Sequence, residues 1–186
     1  MTSPRTVGGR DRLRLFCGLR FPDDALDRLV SWQRAELATA DVRVVPREHL
    51  HVTVAFLGSR PADDVPAIVE ALGAAAAAAE PPVLQAVRYR ETRSVGMVVL
   101  AETDDRAARL ADDLQRRLEE LGVYERETRP WLPHVTVARF RARPRLELAP
   151  PDLGAVSPSD AALYNSVLRS TGAQYVVLES VALGGT

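Results

Sequence analysis

The sequence predicts an α+β fold, on two observations. Strand-like and helix-like segments interleave, and several neighbouring strands are spaced for hairpins, which argues against a doubly wound parallel sheet. One strand-like pentapeptide, His51-Val52-Thr53-Val54-Ala55, also recurs unchanged 83 residues later as His134-Val135-Thr136-Val137-Ala138. Self-similarity of that kind marks duplicated structure.

The elements follow in order. Met1 to Asp11 is polar and reads as a disordered leader, leaving one domain over 12–186. Arg12 to Arg20 alternates and then saturates with apolar residues, as an inner strand does. Pro22 with Asp23 and Asp24 starts a helix whose apolar face carries Ala25, Leu26, Leu29 and Val30. Val42 to Val45 is a short strand ended by Pro46, and Leu50 to Leu57 is a second, closed by Gly58. Pro61, Asp63 and Asp64 open another helix, which runs into the alanine run Ala74 to Ala79 and stops at Pro81-Pro82. Strands are expected at Val83 to Glu91 and Val95 to Ala101, with a turn near Ser94. Asp104 and Asp105 open a third helix, with a stripe from Ala107 to Leu121 and a stop at Gly122. A strand around Trp131 to Phe140, a Pro-rich stretch from Pro144 to Pro158, and two strands near Ala161 to Leu168 and Tyr175 to Leu183 complete the chain.

Composition removes several function classes. A formal charge of −1 gives no global reason to bind a polyanion, so any nucleic-acid contact must be local. All 24 basic residues are arginine. Without lysine there is no Schiff base, no P-loop lysine and no covalent nucleotide carrier. Cys17 is the single cysteine, which excludes an intramolecular disulfide, and its apolar neighbours mark it as a core residue. No signal-like or membrane-spanning apolar run is present, so a cytoplasmic monomer with no membrane and no obligate protein partner is expected.

The repeat carries the chemistry. In a strand, residues i and i+2 share a face, so His51 points with Thr53 and His134 with Thr136, while the valines face the core. A pseudo-twofold arrangement would bring both His-Thr pairs into one groove. Two imidazoles that titrate near neutrality can act as base and acid on a phosphodiester, and the hydroxyls can bond its non-bridging oxygens.

These motifs resemble those of the 2H phosphoesterase superfamily, named for two H-x-T/S-x motifs. The chain is most similar to the RNA 2′,3′-cyclic phosphodiesterases, also called the 2′-5′ RNA ligase family. RLRLFCGLRFP resembles the family's first strand, LHVTVAFLG and LPHVTVARF its two signatures, and LYNSVLRSTGAQYVVLESVAL its closing strands. The resemblance implies two pseudo-symmetric lobes of antiparallel-rich sheet, helices on the outer faces, and an active-site groove between them. It also implies hydrolysis of an RNA 2′,3′-cyclic phosphate to a 2′-phosphate with no metal or cofactor. His51 would protonate the leaving 3′ oxygen, His134 would activate water, and Thr53 and Thr136 would bind phosphate. The partners would be RNA ends or nucleotides bearing a 2′,3′-cyclic phosphate. Phe56 and Arg139, each five residues after a histidine, would flank the nucleobase. Strict alternation puts both on the face opposite the histidines, and a bulge would reconcile the two.

Other readings stay open at this level. The same site would serve 2′-5′-linked oligonucleotides or another small cyclic phosphate, and a non-catalytic RNA-binding module would leave the histidines idle. His49-Leu50-His51 is an H-x-H pair, but few further His or Cys ligands exist, so His49 is expected at the groove rim. Six arginines and one acid between Arg126 and Arg145 make a basic segment, either a solvated loop or part of an RNA groove. Trp131 is a core residue or a base-stacking platform.

Overall fold

The computed structural model of the chain describes residues 11–170 and 172–184. The expected leader lies outside the described residues except for Asp11, whose carbonyl accepts the Ala62 N–H. The elements are β1 (Arg12–Arg20), α1 (Asp23–Glu36), β2 (Arg43–Val44), β3 (Val52–Pro61), α2 (Val65–Ala78), β4 (Gln85–Glu91), β5 (Val95–Ala101), α3 (Arg106–Glu120), β6 (His134–Arg139), β7 (Asp160–Arg169) and β8 (Gly172–Ala182). No helix among the described residues is long and apolar enough to cross a membrane.

Most boundaries follow the sequence signals, and one departs for a local reason. Gly58 does not end β3. It takes φ +69 within the strand, which continues to Pro61. α3 starts directly after Asp104 and Asp105, as expected, with Asp105 as its N-cap residue, but Asp105 adopts a left-handed conformation, with φ 55, and its side chain makes no cap bond. The carboxylate of Glu102 instead accepts the Ala107 and Ala108 N–H groups, supplying the acceptors a helix start needs. Gly122 closes that helix at φ +69, its N–H bonded to the Glu119 carbonyl.

All strands join one antiparallel sheet in the order β4-β5-β6-β3-β1-β7-β8, with β2 paired to β6. The two expected lobes are its halves. They meet only at β3 and β6, where Val52 against Val135 is the one registered pair. The duplication extends beyond the pentapeptide: β1 and β5 begin 83 residues apart, as do α1 and α3. Two of the three helices, α1 and α3, cross to the other half. α1 follows β1 but lies beside β6 and β4, where Gln33 bonds the Val137 carbonyl and Trp32 meets Tyr89. α3 follows β5 but packs on β3, and α2 covers β7 and β8. The main core lies between helices and sheet, with Leu15, Leu29, Val52, Ile68, Leu114, Val135 and Leu163 all buried.

A paired irregularity sits inside the repeat. Across β1, Cys17 opposes Ala55 and Gly18 opposes Thr53, leaving Val54 as an extra residue. Across β5, Gly96 opposes Ala138 and Met97 opposes Thr136, leaving Val137 extra. These are equivalent β-bulges, and a bulged residue loses its ladder partner. Two buried glutamines bond the carbonyls of the bulged residues. Gln115 of α3 donates to the Val54 carbonyl at 2.8 Å, and Gln33 of α1 donates to the Val137 carbonyl at 2.9 Å and to the Val45 carbonyl at 3.0 Å. Their relative exposures are 7% and 3%, low enough that an unpaired amide would be costly.

Both substitutions take a donor from a buried acceptor. Gln115→Leu should lower unfolding free energy by about 1–3 kcal/mol, the cost of stranding a buried acceptor. Gln33→Leu leaves the Val137 carbonyl with the Val45 N–H at 3.0 Å but removes the donor to the Val45 carbonyl, so it should cost a similar amount. Urea denaturation of the two variants checks both; equal stability to the parent would refute the role given to the glutamine concerned.

Candidate active site

Both histidines face one cavity of about 360 Å³, which is also lined by Thr53, Thr136, Phe56 and Arg139. His134 opens β6, whereas His51 sits one residue before β3, on the turn that leaves Arg47–His49. Each ring is held the same way. His51 Nδ1 lies 2.7 Å from the His49 carbonyl, and His134 Nδ1 lies 2.8 Å from the Leu132 carbonyl. A carbonyl can only accept, so each Nδ1 carries a proton. That leaves Nε2 of the neutral ring as the nitrogen with a free lone pair in both. In His51 it is 3.0 Å from Thr53 Oγ1, whose hydroxyl donates to it when the ring is neutral.

The bulges also settle the position of Phe56 and Arg139. Val54 and Ala55 are buried in succession, as are Val137 and Ala138. The alternation thus slips by one, and the following residue returns to the groove face. Phe56 is 50% exposed and capped by the Arg14 guanidinium 5.1 Å from its ring centroid, which rules out core packing for this side chain.

The two rings differ in their surroundings. His51 stacks on Phe16 at 4.9 Å, lies 5.4 Å from Tyr164 and meets the edge of Tyr175 at 5.5 Å. Gly18 keeps this wall closed, because a Cβ there would sit 3.1 Å from His51 Cδ2. Burial, and more weakly the nearby His49, His134 and Arg139, depress the His51 pKa from 6.5 to about 4, against an opposing effect of the His49 carbonyl. In the free protein at pH 7 this imidazole is neutral.

The remaining candidates are distributed as follows. Cys17 is buried, and burial pushes its thiol up to about 12, so it is inert packing. His49 lies at the groove wall, its Nε2 accepting the Tyr175 N–H at 3.4 Å. Trp131 is half-buried against the core, and its indole N–H donates to the Thr53 carbonyl at 2.9 Å. Of the six arginines between 126 and 145, only Arg139 lines the cavity. Arg126 bridges Asp112 and Glu119, Arg129 meets Glu127, and Arg143 meets Glu91. Three of the six arginines are thus held in ion pairs. Among the described residues, no three His, Cys, Asp or Glu side chains gather as metal ligands.

Comparison with known proteins agrees with this geometry. The profile of the 2′-5′ RNA ligase superfamily matches residues 21–167. The chain belongs to that superfamily. It is 32% identical over 184 residues to a Thermus thermophilus protein named RNA 2′,3′-cyclic phosphodiesterase, spanning 93% of this chain and 91% of the relative. The crystal structure of TT0787 of the same species superposes with TM-score 0.80 at 27% identity, covering 93% of this chain and 99% of the other. That of E. coli LigT complexed with 3′-AMP superposes at 0.76 and 24% identity, with 93% and 99% covered.

Within this superfamily member, sequence reasoning missed the residues that come from outside the motifs. Phe16, Gly18 and Tyr164 wall in His51, Gln33 and Gln115 brace the bulges, and Arg14 and Arg43 line the groove. Phe16 and Gly18 alone had a readable signal, an aromatic and a glycine on one face of an otherwise apolar strand.

The pH behaviour of His51 follows with a definite sign. Below about 6.5 the unfolded chain takes up a proton that folded His51 refuses until about pH 4. Its contribution to stability is thus complete above pH 6.5 and lost as pH falls towards 4. Imidazole NMR should show His51 neutral at pH 5, and His51→Gln should flatten the stability profile between pH 6.5 and 4. A His51 titration near 6.5 would refute the enclosure.

Proposed function

We propose that this chain hydrolyses RNA 2′,3′-cyclic phosphates to 2′-phosphates by acid–base catalysis between His51 and His134, without a metal. A hydrolase acting on a cyclic phosphodiester is the activity that superfamily membership and the named relative support. The observation that carries the route is the pair of rings with Nδ1 fixed on a carbonyl and Nε2 turned to one cavity.

In the scheme, neutral His134 Nε2 takes a proton from water as the oxygen attacks phosphorus. The bond from phosphorus to the 3′ oxygen breaks, and His51 Nε2 gives that oxygen a proton, leaving the phosphate on the 2′ oxygen. Thr53 and Thr136 hydrogen-bond the non-bridging oxygens, where charge builds. Phe56 stacks on the base of the terminal nucleotide, and Arg139 lies beside it, within reach of a neighbouring phosphate. Because His51 is neutral in the free protein, its acid role requires a proton to arrive with substrate. The anionic phosphate supplies the cause, since a negative charge beside the ring favours its protonated form.

Two outcomes test the route. His51→Ala and His134→Ala should each lower kcat by at least ~10²-fold in chelator-treated buffer, the usual scale for losing a general acid or base. Thr53→Ala and Thr136→Ala should lose less, as each removes a hydrogen bond and no proton path. Near-normal turnover by either folded histidine variant would exclude the mechanism. Calorimetry of adenosine 2′-monophosphate binding at pH 7, in buffers of different ionisation enthalpy, should show net proton uptake that His51→Ala removes. Binding without uptake would make His51 the base and reverse the two roles.

A further inference from the structure

One feature of the groove lies beyond the two His-Thr pairs. Arg43 on β2 stands directly opposite Arg139 on β6 in the antiparallel register. Like charges facing each other across a strand pair are destabilising, and several arginines elsewhere are answered by acids, as in Arg20–Asp160, Arg47–Asp23 and Arg116–Asp113. The facing pair in the groove is not. Neither guanidinium has an ion-pair partner among the described residues, and no carboxylate lines the cavity.

The Arg43 side chain is also placed, not merely present. Its guanidinium lies against the backbone of Gly172, where an added Cβ would stand 2.3 Å from Nη2. It therefore spans from β2 to the start of β8 across one end of the groove. Arg139 lies three residues past Thr136, roughly 10 Å along an extended strand and less with the bulge. It is close enough to the catalytic end for its charge to be felt at His51. Two unneutralised guanidinium forks at that remove from the cyclic-phosphate position suit a second phosphate, which such forks bind in a bidentate way.

We propose that Arg43 and Arg139 form a second phosphate subsite, which takes the phosphodiester on the 5′ side of the terminal nucleotide. The inference rests on the reading that the cyclic phosphate sits between His51 and His134. It makes the groove selective for a strand end over a cyclic mononucleotide. An anion between the arginines removes the cross-strand repulsion, so part of the binding energy is stored in the free protein.

The test compares adenosine 2′-monophosphate with adenosine 2′,5′-bisphosphate by calorimetric titration of the full chain at one fixed salt concentration. The bisphosphate should bind at least ~10-fold tighter, about 1.4 kcal/mol. That ratio should fall towards one in Arg43→Ala and in Arg43→Gln, the second keeping most of the side-chain length. Equal binding of the two ligands by the parent, or a ratio that survives both variants, would overturn the subsite. A turnover arm separates the two claims. If 2′,3′-cyclic adenosine monophosphate and its 5′-phosphorylated form are hydrolysed with equal kcat/KM, the subsite fails while the proposed reaction stands. If the binding ratio behaves as expected but neither cyclic compound is hydrolysed, the subsite stands and the proposed reaction fails.

Discussion

The paired bulges at Val54 and Val137 are the constraint on which the site depends. A strand in strict alternation can show His and Thr to the groove, but it then turns the residue five places after the histidine into the core. Inserting one residue restores Phe56 and Arg139 to the groove face. The cost is an irregular ladder in each half, in a region too buried for water to serve freely. Gln115 and Gln33 meet that cost, and each comes from the helix that crossed over from the opposite half. Helix crossing, sheet joining and groove composition are thus one arrangement. The two halves touch through a single registered pair at Val52 and Val135, and the glutamines tie them together from behind.

Symmetry builds the site, and its breaking gives the two rings separate properties. The backbone treats them alike, each Nδ1 donating to the carbonyl two residues earlier. The walls do not. β1 and β7 bring Phe16 and Tyr164 against His51, and Tyr175 closes its edge. Burial then holds that ring neutral until about pH 4. A two-histidine mechanism needs one imidazole in each protonation state, and unequal enclosure is a direct way to separate two otherwise equivalent groups.

Much of this was legible in the sequence, because the repeat fixes where the His-Thr pairs lie. The identical pentapeptides placed both pairs on one groove, and proline, acid and glycine signals placed α1 and the end of α3. What stayed hidden has physical reasons. The bulges leave only a subtle trace, since Val-Ala after Thr reads equally well as continued alternation. Gln33 and Gln115 sit among the polar residues of amphipathic helices, and only the tertiary crossing shows that they are buried. Asp104 and Asp105 mark the helix start, yet Glu102 reaches the free N–H groups because Asp105 takes a left-handed turn. Arg126 and Arg143 look like part of a polyanion surface until their acids, distant in sequence, are found beside them.

On the proposed route, a pseudo-symmetric pair of His-Thr motifs, made unequal by the wall around His51, opens a cyclic phosphate in one direction. Two equivalent histidines would let the substrate bind in either sense and give both isomers, whereas an unequal pair gives one. Phosphorus NMR of adenosine 2′,3′-cyclic phosphate hydrolysed by the chain, with excess chelator present, reads this directly. The account predicts adenosine 2′-phosphate as the sole product; a mixture with the 3′-phosphate, or no turnover until a divalent metal is restored, would contradict it.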